Sequence, residues 1–163
     1  MPTNSTPIAV NNANPTGGTL HAVVHPRQVG DEFKVLDDGQ YFIPCSSMRA
    51  QPKMCTVTYL DHPSWNSKVQ LFIYDNKCNL ICENTQVPRD YLAAQWGWGM
   101  SSHLPMYLVL DIARDWQPGH NDGVKLNYGN NHFKPFVKPV VKDKTTSDYI
   151  GKYTYFKAAF PWK

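Results

Sequence analysis

Histidines and aspartates around the most apolar segment are the residues whose types suit acid–base catalysis. His103 and His120 fall in predicted loops on either side of residues 106–112, and Asp111 and Asp115 lie at the end of that segment. A hydrolase or nuclease that works without a metal needs two such groups across one cleft. The sequence contains no GxSxG motif and no glycine-rich phosphate loop. These four residues are therefore weak catalytic candidates.

Tryptophans among turn residues are a more informative feature. Trp96 and Trp98 alternate with glycines in the segment QWGWG, residues 95–99, and flanking glycines leave indole faces uncovered. Uncovered indoles bind sugar rings or protein partners. Three further aromatic residues near turns complete the candidate binding set: Tyr91, Trp65 and Trp116. The alternative is that these rings cap the ends of the domain.

Four cysteines lie within one 38-residue window, in or beside predicted strands: Cys45, Cys55, Cys78 and Cys82. Side chains alternate between the two faces of a strand. This alternation places all four cysteines with the apolar residues that face the core. Two disulfides on a domain with its own core indicate an oxidising, extracellular compartment. The alternatives are reduced core thiols and a zinc site, and the absence of a CxxC pair disfavours zinc.

Distance limits how these cysteines can pair. A two-residue turn at 76–77 places Cys78 and Cys82 on one strand, four residues and about 13 Å apart. A disulfide requires Cα atoms within about 7 Å. Cys78 and Cys82 should therefore not bond to each other. Each should instead pair with Cys45 or Cys55.

Short strand-like runs separated by turn residues make up the chain after residue 18, with one short helix predicted at 88–95. The predicted strands are 20–24, 32–36, 41–45, 54–60, 69–75, 78–83, 106–112, 125–128, 133–141 and 149–160. This pattern predicts an all-β fold: an antiparallel β-sandwich or flattened barrel with at most one short helix, stapled by two disulfides. Residues 1–18 are predicted to be a flexible N-terminal arm, and 19–163 a single β-domain.

Charge is unevenly distributed along the 163 residues, whose formal net charge is +3. Residues 1–124 carry 8 basic and 11 acidic side chains, whereas residues 125–163 carry 8 lysines and two aspartates, a net charge of +6. This basic C-terminal end suits contact with an anionic surface, and a solvated lysine face is the alternative. It contains no arginine, which argues against specific nucleic-acid binding. No apolar run reaches about 18 residues, so no transmembrane segment is expected.

A secreted, non-enzymatic binding protein is the function these features favour. It would be lectin-, effector- or toxin-like and would present its loop aromatics to a carbohydrate or a host protein. No cofactor or metal is expected, because His21 and His25 would be about 13 Å apart on a predicted strand. A small secreted hydrolase or nuclease and a structural or assembly protein are the two alternatives.

Overall fold

The structure is a computed structural model and describes residues 31–119, 122–137, 139, 141 and 144–162. Within these residues the fold is nearly all-β, with three antiparallel sheets, one 3-10 helix and one short α-helix. The all-β, antiparallel prediction is confirmed. The predicted arm at 1–18, the first predicted strand and His120 lie outside the described residues.

The strands form one sheet of five strands, one of four and one of two. In chain order they are β1 (Lys34–Val35), β2 (Tyr41–Phe42), β3 (Met54–Asp61), β4 (Lys68–Tyr74), β5 (Leu80–Pro88), β6 (Trp98–Met100), β7 (Leu108–Ile112), β8 (Val124–Tyr128), β9 (Asn131–Phe133), β10 (Thr146–Ile150) and β11 (Tyr153–Pro161). The 3-10 helix spans Pro63–Trp65, and α1 spans Arg89–Leu92. The larger sheet has the order β10-β11-β3-β4-β5, the second has the order β6-β7-β8-β9, and β1 pairs with β2.

The inner faces of the five-stranded and four-stranded sheets share one apolar core. The larger sheet contributes Val57, Leu71 and Phe156, and the smaller sheet contributes Leu110 and Leu126, all without exposed surface. Removing this apolar surface from water is the main favourable term in folding. Along β7 and β8 the buried residues alternate with less buried ones, which leaves the other face of the four-stranded sheet toward solvent.

The five-stranded sheet is covered on its second face as well. Leu36 and Phe42, from the segment that contains β1 and β2, share a second core with Leu60 and Phe72 of the sheet. Nearly every residue of β3 and β4 is buried as a result. We call residues 31–48 the outer layer, because they lie on this second face.

One disulfide ties the outer layer to the turn after β4. It joins Cys45 to Cys78, whose Cα atoms are 5.7 Å apart. One of the two expected disulfides is thus present, and the expectation that Cys78 and Cys82 do not bond to each other is confirmed. The second expected disulfide is not formed, since Cys55 and Cys82 are free, buried thiols.

The prediction that all four cysteines face the same way is wrong. Cys55 and Cys82 lie in the core between the two sheets, whereas Cys45 and Cys78 lie in the second core on the opposite face. A cysteine of one core is therefore separated from a cysteine of the other by the five-stranded sheet itself.

The turn between β4 and β5 explains the error. It contains three residues rather than two, and the third, Cys78, has a left-handed φ of 64°. The side chain of Asp75 accepts hydrogen bonds from the backbone N–H groups of Lys77 and Asn79 and so stabilises this turn. The longer turn moves the pairing by one residue, so that Tyr74 pairs with Leu80. A register shift between Tyr74 and Ile73 moves it by one more, so that Ile73 pairs with Cys82, where the prediction paired Ile73 with Leu80. Cys78 belongs to the turn, so strand alternation does not apply to it.

The remaining predicted helix and strand boundaries agree with the structure at some positions and differ from it at others. The short helix predicted at 88–95 is confirmed as α1. The single run predicted at 149–160 is instead the hairpin of β10 and β11, which turns at Gly151 with φ 59°. The strand predicted at 133–141 ends at Phe133, two residues before Pro135. Strand β6 was not predicted, because its three residues lie in the tryptophan–glycine segment.

Candidate functional site

Trp96 is the most exposed large apolar side chain among the described residues, with 75% of its surface accessible. It lies between α1 and β6, directly before the edge strand of the four-stranded sheet. Tyr91, on α1 in the same connection, is 49% exposed. We call Trp96 and Tyr91 the aromatic surface. Large exposed rings in one short segment are typical of a binding surface.

The segment that carries these rings is fixed at both ends. Arg89 donates hydrogen bonds to the carbonyl oxygens of Ile112, at 3.1 Å, and of Ala113. The ring of Tyr91 lies 5.5 Å from the ring of Trp98, which is buried in the main core. These contacts attach α1 to the end of β7 and to the core, so Tyr91 sits on a supported element.

Gly97 fixes the backbone next to Trp96. Its φ is 72°, and a Cβ atom added there would lie 2.5 Å from the carbonyl oxygen of Leu110 and 3.0 Å from Cγ1 of Val109. Only glycine adopts this conformation at so close an approach without strain. The chain therefore turns tightly against β7 immediately after Trp96.

The other predicted binding aromatics are mostly buried. Trp98 and Trp116 belong to the main core, and Trp116 packs edge-on against Tyr59 and Phe156. Trp65 belongs to the second core, where its ring meets that of Tyr153. Trp98, Trp116 and Trp65 are thus packed inside the domain. A binding role for the five aromatic residues as one set stays a prediction.

Trp65 also borders a narrow polar cavity of about 180 Å³. The remaining described residues around it are Ser64, Asn66, Lys68, Thr85 and Gln86. Asn66 and the following Ser67 both have left-handed backbone angles, with φ of 53° and 62°. Such angles are uncommon for residues other than glycine. This volume is below the usual range of small-molecule sites, about 300 to 1,000 Å³.

The predicted catalytic residues do not form a cluster in the described structure. His103 is exposed and precedes β7, whereas Asp115 follows its other end. The five-residue strand between them is about 13 Å long. Asp111 lies on β7 opposite Lys125 of β8. Among the described residues, no group of three or more histidine, cysteine or acidic side chains could hold a metal ion.

A wider cavity of about 500 Å³ lies at the β8–β9 hairpin. We call it the lysine groove, and its described lining residues are Lys125, Asn127, His132, Phe133, Lys134 and Val137. Asn127 and His132 are paired residues of β8 and β9, and their side chains meet at 2.6 Å between Oδ1 and Nδ1. An amide oxygen only accepts, so this hydrogen bond requires the His132 tautomer with its proton on Nδ1.

The sequence analysis did not select the residues of the lysine groove, although a local signal existed. Lys125 and Asn127 alternate on a predicted strand, and His132 and Lys134 follow after the turn residues 129–130. A two-residue turn that contains glycine predicts a hairpin, in which these four side chains share one face. Lys125 and Lys134 were assigned only to a basic C-terminal end.

Two further findings concern membrane-spanning helices and similarity to known proteins. Among the described residues, no helix is long and apolar enough to cross a membrane. In comparison with known proteins, no family model, no curated protein sequence and no solved structure matches this chain.

Proposed function

We propose that this chain is a secreted, non-enzymatic binding protein that presents Trp96 and Tyr91 to a carbohydrate. The observation that carries the proposal is the 75% exposure of Trp96 on a backbone held against β7. An exposed indole in water is costly unless a ligand covers it. A supported ring also loses little conformational freedom when it binds, so more of the contact energy remains as affinity.

The size of the aromatic surface favours a sugar over a protein partner. A stable protein interface covers about 800 Å² on each side. Trp96 and Tyr91 are two rings, and Asp90, which precedes Tyr91 on α1, forms an exposed ion pair with Arg114. A pair of rings beside charged hydrogen-bonding groups matches a sugar ring, which has apolar C–H faces and hydroxyl edges. A host protein remains the second type of partner that the test includes.

Secretion is supported by the Cys45–Cys78 disulfide. Disulfides persist in oxidising compartments and are rare in the cytosol. The two thiols that stay reduced, Cys55 and Cys82, are buried. Burial raises the pKa of Cys55 to about 12, which keeps its reactive thiolate form rare.

The two alternative functions have less support. A hydrolase or nuclease would need His103 and Asp115 in one cleft, and they flank β7 from opposite ends. An assembly protein would use the segment 133–141 as an edge, and among the described residues of that segment only Phe133 lies in a strand. We therefore pursue the binding function.

A glycan array followed by titration of the best ligand tests the proposal. Trp96→Ala and Tyr91→Ala should each weaken binding about tenfold or more, as truncation of a central aromatic contact does. Tyr149→Ala is the matched control, because Tyr149 is 51% exposed on β10, in the other large sheet. Equal affinity of the wild type and the Trp96→Ala/Tyr91→Ala double variant would refute the proposed site. A wild type that binds a protein ligand through these rings, and no glycan, would replace the carbohydrate by a protein partner.

A further inference from the structure

We propose that the lysine groove binds the carboxylate or sulfate groups of an acidic carbohydrate, so that the ligand is a negatively charged polysaccharide. This inference rests on the proposed function for the carbohydrate and adds its charge. The groove volume of about 500 Å³ lies within the usual range of small-molecule sites, about 300 to 1,000 Å³.

Strand register places the polar groups of the groove on one face. Leu126 of β8 pairs with Phe133 of β9, and Leu126 points into the main core. The residues on either side of this pair therefore face outward. Asn127 and His132 form the outward pair on one side. On the other side, Lys125 precedes Leu126 in β8 and Lys134 directly follows the last residue of β9, and both lysines line the groove.

Two lysines line the same cavity without a described carboxylate between them. Lys125 and Lys134 are both exposed, and like charges in one site disfavour each other. An anion between the two ammonium groups removes this repulsion and accepts charge-assisted hydrogen bonds. The two lysine side chains are thus more stable with an anionic ligand between them than without one.

The neighbouring charges leave a net positive site. Asp111 of β7 is the cross-strand neighbour of Lys125 on the side away from β9. It offsets one of the two lysine charges, and the second lysine and His132 remain on the groove side. The described lining of the groove contains no carboxylate. The groove therefore carries about one net positive charge, which gives a moderate preference for an anionic ligand over a neutral one.

The lysine groove and the segment that carries Trp96 lie toward opposite edges of the four-stranded sheet. Gly99, Val109, Asn127 and His132 form one row of paired residues across β6, β7, β8 and β9. Three strand spacings make this row about 14 Å wide. Trp96 lies directly before β6 at one side, and the lysine groove lies at the other.

The test uses polygalacturonate oligosaccharides and their fully methyl-esterified forms, in which a methyl group replaces the charge of each carboxylate. The wild-type protein should bind the acidic form about tenfold more tightly, as one added charge-assisted hydrogen bond would give. Lys125→Gln/Lys134→Gln should abolish this preference and leave binding of the ester unchanged. Lys152→Gln, an exposed lysine in the β10–β11 turn, is the matched control and should keep the preference. Sulfated and desulfated oligosaccharides repeat the comparison for the sulfate group.

The outcomes separate this inference from the proposed function. If Trp96→Ala/Tyr91→Ala weakens binding of both forms but the lysine variant keeps the acid preference, the lysine groove is not the anion site and the aromatic site stands. A wild type without preference for the acidic form in either pair also overturns the inference. Binding to phosphatidylserine vesicles that exceeds binding to the oligosaccharides and is lost in the lysine variant would assign the groove to a lipid surface instead. Unchanged melting temperatures verify that each variant folds.

Discussion

Lys34 is the residue whose surroundings differ most from its usual preference. It is 6% exposed in the outer layer, and its ammonium group lies 3.9 Å from the centre of the Phe72 ring. Desolvation lowers its pKa from 10.5 to about 8, against the opposing attraction of Glu83 and Glu32. The cation–π contact and the two glutamates compensate only part of the cost of burying the charge. The fully buried Tyr74, which is influenced by the same two glutamates, is the other titratable group near this cluster.

This pKa predicts a specific pH dependence of stability. Between pH 8 and 10.5 the unfolded chain keeps the Lys34 proton that the folded protein has released, so this residue makes the free energy of unfolding rise with pH. The total change is about 3 kcal/mol. The unfolding free energy of Lys34→Met minus that of the wild type should therefore decrease by about that amount from pH 7 to pH 10.5. Urea unfolding at several pH values measures it.

Comparison with the wild type is needed because other groups titrate in the same range. The cysteines and the buried tyrosines act in the opposite direction, but they are common to both proteins. Lys152→Met, at an exposed lysine, is the control and should show a constant difference. A pH-independent difference for Lys34→Met would mean that Lys34 is not desolvated in solution.

Cys55 and Cys82 should behave as unreactive thiols in the folded protein. Burial is the largest cause that raises the pKa of each, and the sulfur of Cys82 also donates to the carbonyl oxygen of Ser101 at 3.2 Å. A thiol reagent such as DTNB at pH 8 should detect no thiol in native protein and two per chain in urea without reductant. Detection of none in urea would indicate a Cys55–Cys82 disulfide, one of the two pairings that the sequence left open for Cys55.

At the scale of the element, Gly97 determines whether the backbone beside Trp96 can adopt its tight turn against β7. Gly39 offers a matched comparison, because its φ of 84° is also left-handed but a Cβ atom added there would meet nothing within 4 Å. Gly39→Ala should cost about 1 kcal/mol through backbone strain alone. Gly97→Ala should cost at least about 1 kcal/mol more, because the methyl group overlaps Leu110 and Val109.

Urea unfolding of the two glycine variants measures this difference. If the proposed site is correct, Gly97→Ala should also weaken carbohydrate binding, since the backbone beside Trp96 must shift. Gly39→Ala should bind as the wild type does. Equal destabilisation by the two substitutions would show that the segment before β6 can relax away from β7.

At the scale of the whole molecule, the fold has three layers rather than two. The five-stranded sheet lies in the middle, with the four-stranded sheet on one face and the outer layer on the other. The outer layer has only the two-residue strands β1 and β2. Its attachment therefore depends on side-chain packing, on the disulfide and on contacts such as the 2.7 Å hydrogen bond from the Met48 N–H to the Asn76 carbonyl.

Removal of the disulfide should loosen the outer layer first. Cys45 and Cys78 are 33 residues apart in sequence, and closing a loop of that length stabilises a protein by about 3–4 kcal/mol. Cys45→Ala/Cys78→Ala should lose about this much in urea unfolding. Hydrogen exchange should accelerate at the Leu36 and Met48 amides before it does in β3 and β4. Uniform acceleration in both regions would instead mean that the layers unfold as one unit.

The sequence by itself determined the class of fold and most strand positions. Alternating or continuous apolar runs such as 54–60 and 69–75 carry a local signal, since each strand must bury at least one face. The short helix at α1 and the separation of Cys78 from Cys82 were also predictable. Both depend only on neighbours in sequence and on the length of a strand.

Only the tertiary structure decided which faces the cysteines occupy and which aromatics reach the surface. The three-residue turn takes Cys78 out of strand alternation and places it on the outer-layer side of the sheet with Cys45, whereas Cys55 and Cys82 face the main core. Trp96 and Trp98 both adjoin Gly97 in sequence, yet Trp98 pairs with Leu110 and is buried, whereas Trp96 precedes the strand and is exposed. The reason is physical: burial depends on what packs against a residue, and those partners come from strands distant in sequence.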